Sequence, residues 1–285
     1  MKQIILNADD FGRHALINRA VEKAVHEGML RSATIMAGGA AFADAAELAV
    51  RTPALGVGIH FTLVDGTPVL PPAEIPSLVT GAGAFVEDHR AFVARLLRGA
   101  VRLEEVRAEL AAQLRRVEGA GIHPTHADSH QHMHVLPGVI DITLALCCAA
   151  GIPAMRAPRA PLLAGKFGGI GQFIGRAGLA ALAVRAAAKA RRCGLVTPEH
   201  FAGIVAGEAI DTGTLAKIAA DLGEGTTEIM LHPGTDNEAL RRDCLWDHDF
   251  EAELAAVCAP VVRDALDKAG AVSVNFGDLT PLRNH

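Results

Sequence analysis

Between His126 and His134 the chain reads HADSHQHMH, with His126, Asp128, His130, His132 and His134 at alternate positions. Nearly a third of the 13 histidines fall in this one stretch. Imidazole and carboxylate together are the ligand set of a divalent metal. If residues 125–130 are extended, His126, Asp128 and His130 share a face at a spacing of about 6.6 Å. One ion with ligand bonds of about 2.0–2.2 Å cannot take all of them. Nor is the spacing that of a His-Glu-x-x-His zinc helix. The ligands of a metal here must therefore be gathered from several strands. A solvated histidine-rich loop is the plain alternative. It fits poorly, because the run follows an apolar-bounded strand and leads into a helix at Pro137.

Three further strand ends carry polar groups that a core would not tolerate. In LNADDFG an apolar strand runs into Asp9 and Asp10. Adjacent carboxylates repel, and burying either is costly without a cation. On a regular strand they point to opposite faces, so a bend at Gly12 is expected to turn both toward one site. One of them could instead cap the helix starting near Leu16, but a cap accounts for only one aspartate. In GVGIHF, His60 ends an apolar strand, where a lone histidine is more often a satisfied core residue than a ligand. In EIMLHPGTD, His232 ends another strand and could act as a general acid, its pKa lying near working pH; taken alone it is a loop histidine.

The elements that position these residues follow from periodicity. QIILNA, SATIMA, GVGIHF, IHPTHAD, IPAMRA, TEIMLH and AVSVNF read as strands. Helical patterns lie between them, including VRLEEVRAELAAQLRRVEGA, PGVIDITLALCCAA and DFEAELAAVCAPVVRDAL. This alternation predicts an α/β fold with a parallel sheet: a distorted, incomplete (β/α) barrel of about seven strands, in one domain spanning 1–285. A doubly wound open sheet is the alternative, yet the glycines from Gly168 to Gly178 lack dinucleotide-binding spacing and follow no strand. The long Pro- and Gly-punctuated loop 62–85 leaves a strand's C-terminal end, where barrel active sites form, and is expected to be a lid rather than a plain surface excursion.

The 285 residues are half apolar and a fifth charged, an ordinary globular mix, with no tyrosine and one tryptophan. A net charge of −5 gives no reason to expect nucleic acid as a partner. Five cysteines without a Cys-x-x-Cys pair read as reduced, mostly buried thiols. A cytoplasmic location is expected, since the N-terminus has no signal-peptide pattern and no stretch is long enough to span a membrane. The charge is uneven, however. From Ile142 to Pro198 there is no acid, so this stretch carries +8 against −13 for the remainder.

Taken together and in this order, NADDFG, GIH, HADSHQHMH and LHPG closely resemble the YdjC-like carbohydrate deacetylase family. The resemblance covers essentially the whole chain. It implies a polysaccharide-deacetylase-like barrel that hydrolyses the N-acetyl group of an amino sugar with one divalent metal. Carried onto this sequence, the family pattern gives Asp10, His60 and His130 as metal ligands, Asp9 as general base and His232 as general acid. Such a ligand set suits Zn²⁺ best on softness, with Mg²⁺ or Mn²⁺ as alternatives. His132, His134 and Asp128 are expected to support the ligands or touch substrate. Arg156 or Arg159 is expected to pair with Asp9 and keep it ionised, although either could be a surface arginine.

The segments VLPPAEIPSLVTGAGAF, LVTPEHFAGI and TEIMLHPGTD resemble the hopanoid-biosynthesis-associated branch of that family. This implies N-acetylglucosaminyl bacteriohopanetetrol as substrate, with chitooligosaccharides such as diacetylchitobiose as the alternative. A metal phosphoesterase would need a second metal, for which His126, Asp128, His132 and His134 are the candidates. A non-catalytic sugar or lipid binder would have no use for Asp9. A basic, apolar insertion is expected at 160–195. If it is helical, Arg185, Lys189 and Arg192 form one stripe, and residues 166–192 could lie on the inner face of an anionic membrane. An Ala-rich helix packed on the core with a solvated charged edge explains the same pattern equally well. The partners expected are an amino-sugar or glycolipid substrate, that membrane surface, and a second copy of the chain in a homodimer.

Overall fold

A computed structural model describes residues 1–159, 170–203 and 209–279. Strand β1 (Lys2–Phe11) leads through α1 (Ala15–His26), β2 (Ser32–Ile35) and α2 (Phe42–Arg51) to β3 (Gly56–Phe61). After the long loop come α3 (His89–Leu97), α4 (Leu103–Gly119), β4 (Ala127–Ser129) and α5 (Val139–Ala150). Next are α6 (Ile170–Arg192), β5 (His200–Ala202), α7 (Thr212–Ala220), β6 (Gly225–Leu231) and α8 (Asn237–Cys244). The chain then runs through α9 (Phe250–Cys258), α10 (Pro260–Ala269) and β7 (Ala271–Ser273).

The seven strands form one sheet in the order β4-β3-β2-β1-β6-β5, with β7 paired to the start of β1. Every pairing is parallel. The strands are buried on both faces because helices cover one side and the sheet's own curl closes the other. In β1 every residue from Ile4 to Phe11 is buried. The curl is visible in a single side chain. Arg156 touches Asp128 on β4 and Glu228 on β6, strands four places apart in the sheet. In a flat sheet they would be separated by about 19 Å at 4.7–4.9 Å per strand. The sheet is therefore an incomplete barrel, not an open doubly wound sheet.

The strand count agrees with the sequence reading, but the membership differs in one place. IPAMRA, expected as a strand, contributes only the bridges Ala127↔Met155 and Ala154↔Val196. Pro153 within it and Pro158 directly after it cannot donate to a ladder. Its place in the count is taken by β5, the short HFA segment beside β6. The single helix expected from DFEAELAAVCAPVVRDAL is divided at Pro260, which starts α10 in the first-turn position where its missing N–H costs nothing. Of the five cysteines only Cys147 and Cys244 are buried; Cys148 and Cys193 are exposed and Cys258 is intermediate. The expectation of mostly buried thiols is corrected accordingly.

Loop 62–85 is fastened to the body of the protein. Glu109 on α4 accepts the backbone N–H groups of Val69 and Leu70, and Glu105 accepts that of Ser77. Leu63, Val64, Ile75, Leu78 and Phe85 lie in the main core. Residues 160–169 of the basic insertion lie outside the described residues. In α6, Ala183, Ala186, Ala187 and Ala190 face inward, Arg185 and Arg192 are exposed, and Lys189 pairs with Asp141 at 2.5 Å. No helix among the described residues is long and apolar enough to cross a membrane.

Candidate active site

The residues singled out in the sequence converge at the C-terminal ends of the parallel strands. Asp9 and Asp10 lie near the end of β1, His60 near the end of β3, His130 just after β4 and His232 just after β6. Local backbone geometry does the re-aiming. The β1–β2 register shifts between Ala8 and Phe11, and Asp10 itself adopts φ 60°. An aspartate tolerates this left-handed conformation better than most residues, at a cost of order 1–3 kcal/mol. Asp9 keeps the strand's facing and Asp10 is turned out of alternation, so the bend begins at Asp10 rather than at Gly12. Neither aspartate caps α1, because His14 does so through Nδ1, which accepts the Leu16 N–H.

Asp10 Oδ1 lies 3.3 Å from His60 Nε2 and 2.9 Å from His130 Nδ1. Ligand atoms on one ion at bonds of about 2.0–2.2 Å are separated by about 3.0–3.5 Å, so the spacing is that of a common ligand sphere. Both Asp10 Oδ1 and His60 Nε2 are buried without a hydrogen-bond partner in the described structure. Each histidine turns its other nitrogen to a second carboxylate. His60 Nδ1 lies 2.7 Å from Asp128 Oδ1, and His130 Nε2 lies 3.2 Å from Asp65 Oδ2. The parallel register makes the first pairing, since His60 and Asp128 are cross-strand partners. A carboxylate behind each imidazole fixes its tautomer and raises its basicity, the usual support of a metal-ligating histidine.

Charge points the same way. Burial opposes a charged His60, but Asp128 and Asp9 outweigh it and push its pKa up to about 10. Burial would raise Asp10, yet His130 and His60 hold it well below the usual carboxylate range. The cluster draws positive charge to the point where the three donors meet. Asp10, His60 and His130 thus fit a divalent cation in geometry, in unsatisfied donors and in charge.

Arg156 organises the other half of the site. Its guanidinium has no exposed surface and binds Asp9 through both terminal nitrogens at 2.6 Å. It also reaches Asp128 Oδ2 and Glu228 Oε1, each at 2.6 Å. Asp9 Oδ1 is further engaged by Asn7 and Thr34, whereas Oδ2 has Arg156 as its one partner in the described structure. Burial outweighs Arg156 at Glu228 and pushes that carboxyl up to about 7. Arg159 lies apart from this cluster, donating to the carbonyls of Pro198 and Glu199.

The remaining members of HADSHQHMH have separate places. His126 stacks on Phe276 at 3.7 Å, filling space that Gly58 leaves open; a Cβ there would sit 2.4 Å from the ring. Burial holds its pKa down to about 3. His134 is fully buried, bonded at Nδ1 to Ser129 and at Nε2 to the Arg156 carbonyl. Its pKa is likewise lowered by burial, to about 4. His132, at φ 60°, packs edge-on to Phe201. His126, Asp128 and His134 are thus engaged elsewhere, and Arg156 already supplies the cation between Asp9 and Asp128.

His232 is partly buried beside Trp246, and its backbone N–H bonds to Glu253. Burial lowers its pKa, against the pull of the Asp9 and Asp10 carboxylates. Several neighbours carry no motif that would single them out in the sequence: Asp65, Arg13, Glu228 and Thr34. Arg13 alone had a hint, following directly on NADDFG; it pairs with Asp65 at 3.0 Å. A pocket of about 310 Å³ opens beside these two residues, lined also by Met36, Gly38, Thr62 and Thr67.

Fold and site together define an incomplete parallel α/β barrel carrying a buried Asp-His-His cluster, with the geometry to hold a cation, at its C-terminal mouth. The chain belongs to the YdjC-like protein family, whose profile matches residues 3–268. It is 31% identical over 280 residues to a protein named carbohydrate deacetylase from Brevibacillus brevis, covering 97% of this chain and 99% of the relative. It is 30% identical over 286 residues to a chitooligosaccharide deacetylase from Serratia marcescens, covering 98% and 99%. A crystal structure of an Enterococcus faecalis V583 protein superposes with a TM-score of 0.72 at 24% identity, covering 96% of this chain and 97% of the other. That likeness establishes the shared fold.

Arg156→Met is expected to destabilise the protein by about 3–5 kcal/mol, because it leaves buried carboxylates without their cation. Urea unfolding at pH 7 measures this. Arg156→Lys keeps the charge but loses the bidentate grip on Asp9, and should fall between the two.

Proposed function

We propose that this protein is a metal-dependent carbohydrate N-deacetylase, hydrolysing the N-acetyl group of an N-acetylglucosamine-containing substrate. The observation that carries the reading is the meeting of Asp10 Oδ1, His60 Nε2 and His130 Nδ1 with Asp9 beside them. The names of the Brevibacillus and Serratia relatives support it. Asp10, His60 and His130 would hold the divalent cation, Zn²⁺ on donor softness, and when bound it would supply Lewis acidity for the hydrolysis. Asp128 and Asp65 keep the two imidazoles aimed.

Asp9 takes a proton from the attacking water at Oδ2, the oxygen with a lone pair to spare. Arg156 holds that carboxylate in place. The water oxygen adds to the acetyl carbon and the carbon–nitrogen bond breaks, giving acetate and a free amine. His232 gives the departing nitrogen its proton. The pocket beside Arg13 and Asp65 is the place for the sugar. Asp9→Asn is expected to retain the metal while turnover falls by about 10²–10⁴-fold, the usual share of a general base. Turnover near wild type with metal bound would remove Asp9 from this role, and a non-catalytic binder predicts no turnover in either protein.

The substrate we favour is N-acetylglucosaminyl bacteriohopanetetrol, supported by the segments VLPPAEIPSLVTGAGAF, LVTPEHFAGI and TEIMLHPGTD. The Serratia relative's name favours a second reading, a chitooligosaccharide such as diacetylchitobiose. Mass spectrometry of acetyl loss from the two compounds decides between them, and the hopanoid is expected to have the higher kcat/KM. A lipid-linked substrate gives α6 a task at an anionic membrane surface, where its exposed Arg185 and Arg192 would supply the charge. The double variant R185E/R192E is expected to lose co-sedimentation with anionic vesicles; unchanged binding would remove the membrane contact.

A further inference from the structure

A second group of ligand-type side chains lies at the same mouth. His232 follows β6, His248 lies in the turn between α8 and α9, and Glu253 is on α9. One donor atom from each falls within 4.8 Å of the others. His248 is 3% exposed and Glu253 2%. His248 Nε2 lies 3.3 Å from Glu253 Oε2, yet neither ring nitrogen of His248 has a hydrogen-bond partner in the described structure. Burying an imidazole with both nitrogens unsatisfied is unfavourable, and such groups call for an explanation.

The first cluster offers one. There too, buried donor atoms that converge on one point, Asp10 Oδ1 and His60 Nε2, lack hydrogen-bond partners. The ring geometry also repeats. His60 and His130 have centroids 5.6 Å apart at 68°, and His232 and His248 have centroids 5.6 Å apart at 78°. Glu253 is held in place by the backbone N–H groups it accepts, from Ile210 through Oε1 and from His232 through Oε2.

We infer that His232, His248 and Glu253 form a second cation site, separate from the Asp10 cluster, that takes Zn²⁺. Two imidazoles and a carboxylate are a zinc donor set. The consequence for turnover rests on the reading of His232 as general acid. A cation on either ring nitrogen of His232 keeps that imidazole from taking up the proton it would pass to the amine, so zinc beyond the first equivalent slows the reaction.

The test does not need turnover. Trp246, the one tryptophan of the chain, stacks on His248 at 4.0 Å and 19°, so its emission reports on this site. Equilibrium dialysis against Zn²⁺ with metal analysis is expected to give two equivalents for the wild type and one each for Asp10→Asn and His248→Gln. Asp10→Asn should keep a saturable zinc-dependent change in Trp246 emission. A wild type saturating at one equivalent, or a His248→Gln protein still binding two, overturns the site. If His248→Gln does not fold, the Asp10→Asn titration decides: an emission unmoved by zinc overturns the site equally. A protein that binds two zinc ions but deacetylates nothing keeps the site and fails the enzymatic reading. Two equivalents with undiminished turnover removes the inhibition alone.

Discussion

The structure turns on one buried guanidinium. Arg156 enters the barrel interior from the segment after α5 and is shared by Asp9, Asp128 and Glu228, which belong to three different strands. An isolated charge so placed would be strongly disfavoured, and three carboxylates together would be worse. Jointly they are tolerable only when the strands curl far enough to bring all four groups within hydrogen-bonding distance. The ion cluster and the curvature of the sheet therefore imply each other. The Glu228 carboxyl, pushed up to about 7 by burial, shows that desolvation is not wholly offset there.

Around this centre the same device is used twice. His60 stands between Asp10 and Asp128, and His130 between Asp10 and Asp65. In each case one imidazole nitrogen is committed to a supporting carboxylate and the other to the common point. Asp128 joins the two systems, since one of its oxygens holds His60 and the other holds Arg156. The position of the Asp10, His60 and His130 cluster and the orientation of Asp9 are thus mechanically connected. The left-handed backbone at Asp10 makes this possible, because on a regular strand Asp9 and Asp10 would face apart.

Much of this was legible in the sequence, for a physical reason. Strands buried on both faces must be continuously apolar, so polar residues at their ends stand out against the core. Asp9, Asp10, His60, His130 and His232 were visible in that way, and alternation with helices implied the parallel barrel. Asp65, Arg13 and Glu228 were not visible. An aspartate in a Pro- and Gly-rich loop looks like a turn residue, and a glutamate within TEIML looks like the solvent side of a strand. IPAMRA looked like a strand because β-propensity says nothing of whether a neighbour is present to pair with it.

Local composition determined which strand ends carry chemistry and that the ligands of a single ion could not all come from HADSHQHMH, since residue spacing along one strand exceeds a metal's reach. The tertiary structure decided how that stretch is divided. Packing on Phe276 withdraws His126, the Arg156 carbonyl engages His134, and the turn after Ser129 presents His130 to Asp10. Which arginine holds Asp9 was decided there as well. Arg156 and Arg159 are three residues apart in one short segment, and only the curl of the sheet puts the first inside and leaves the second clamped to backbone carbonyls. Distances between side chains on different strands depend on register and curvature, which arise when the whole sheet forms and are written in no single segment.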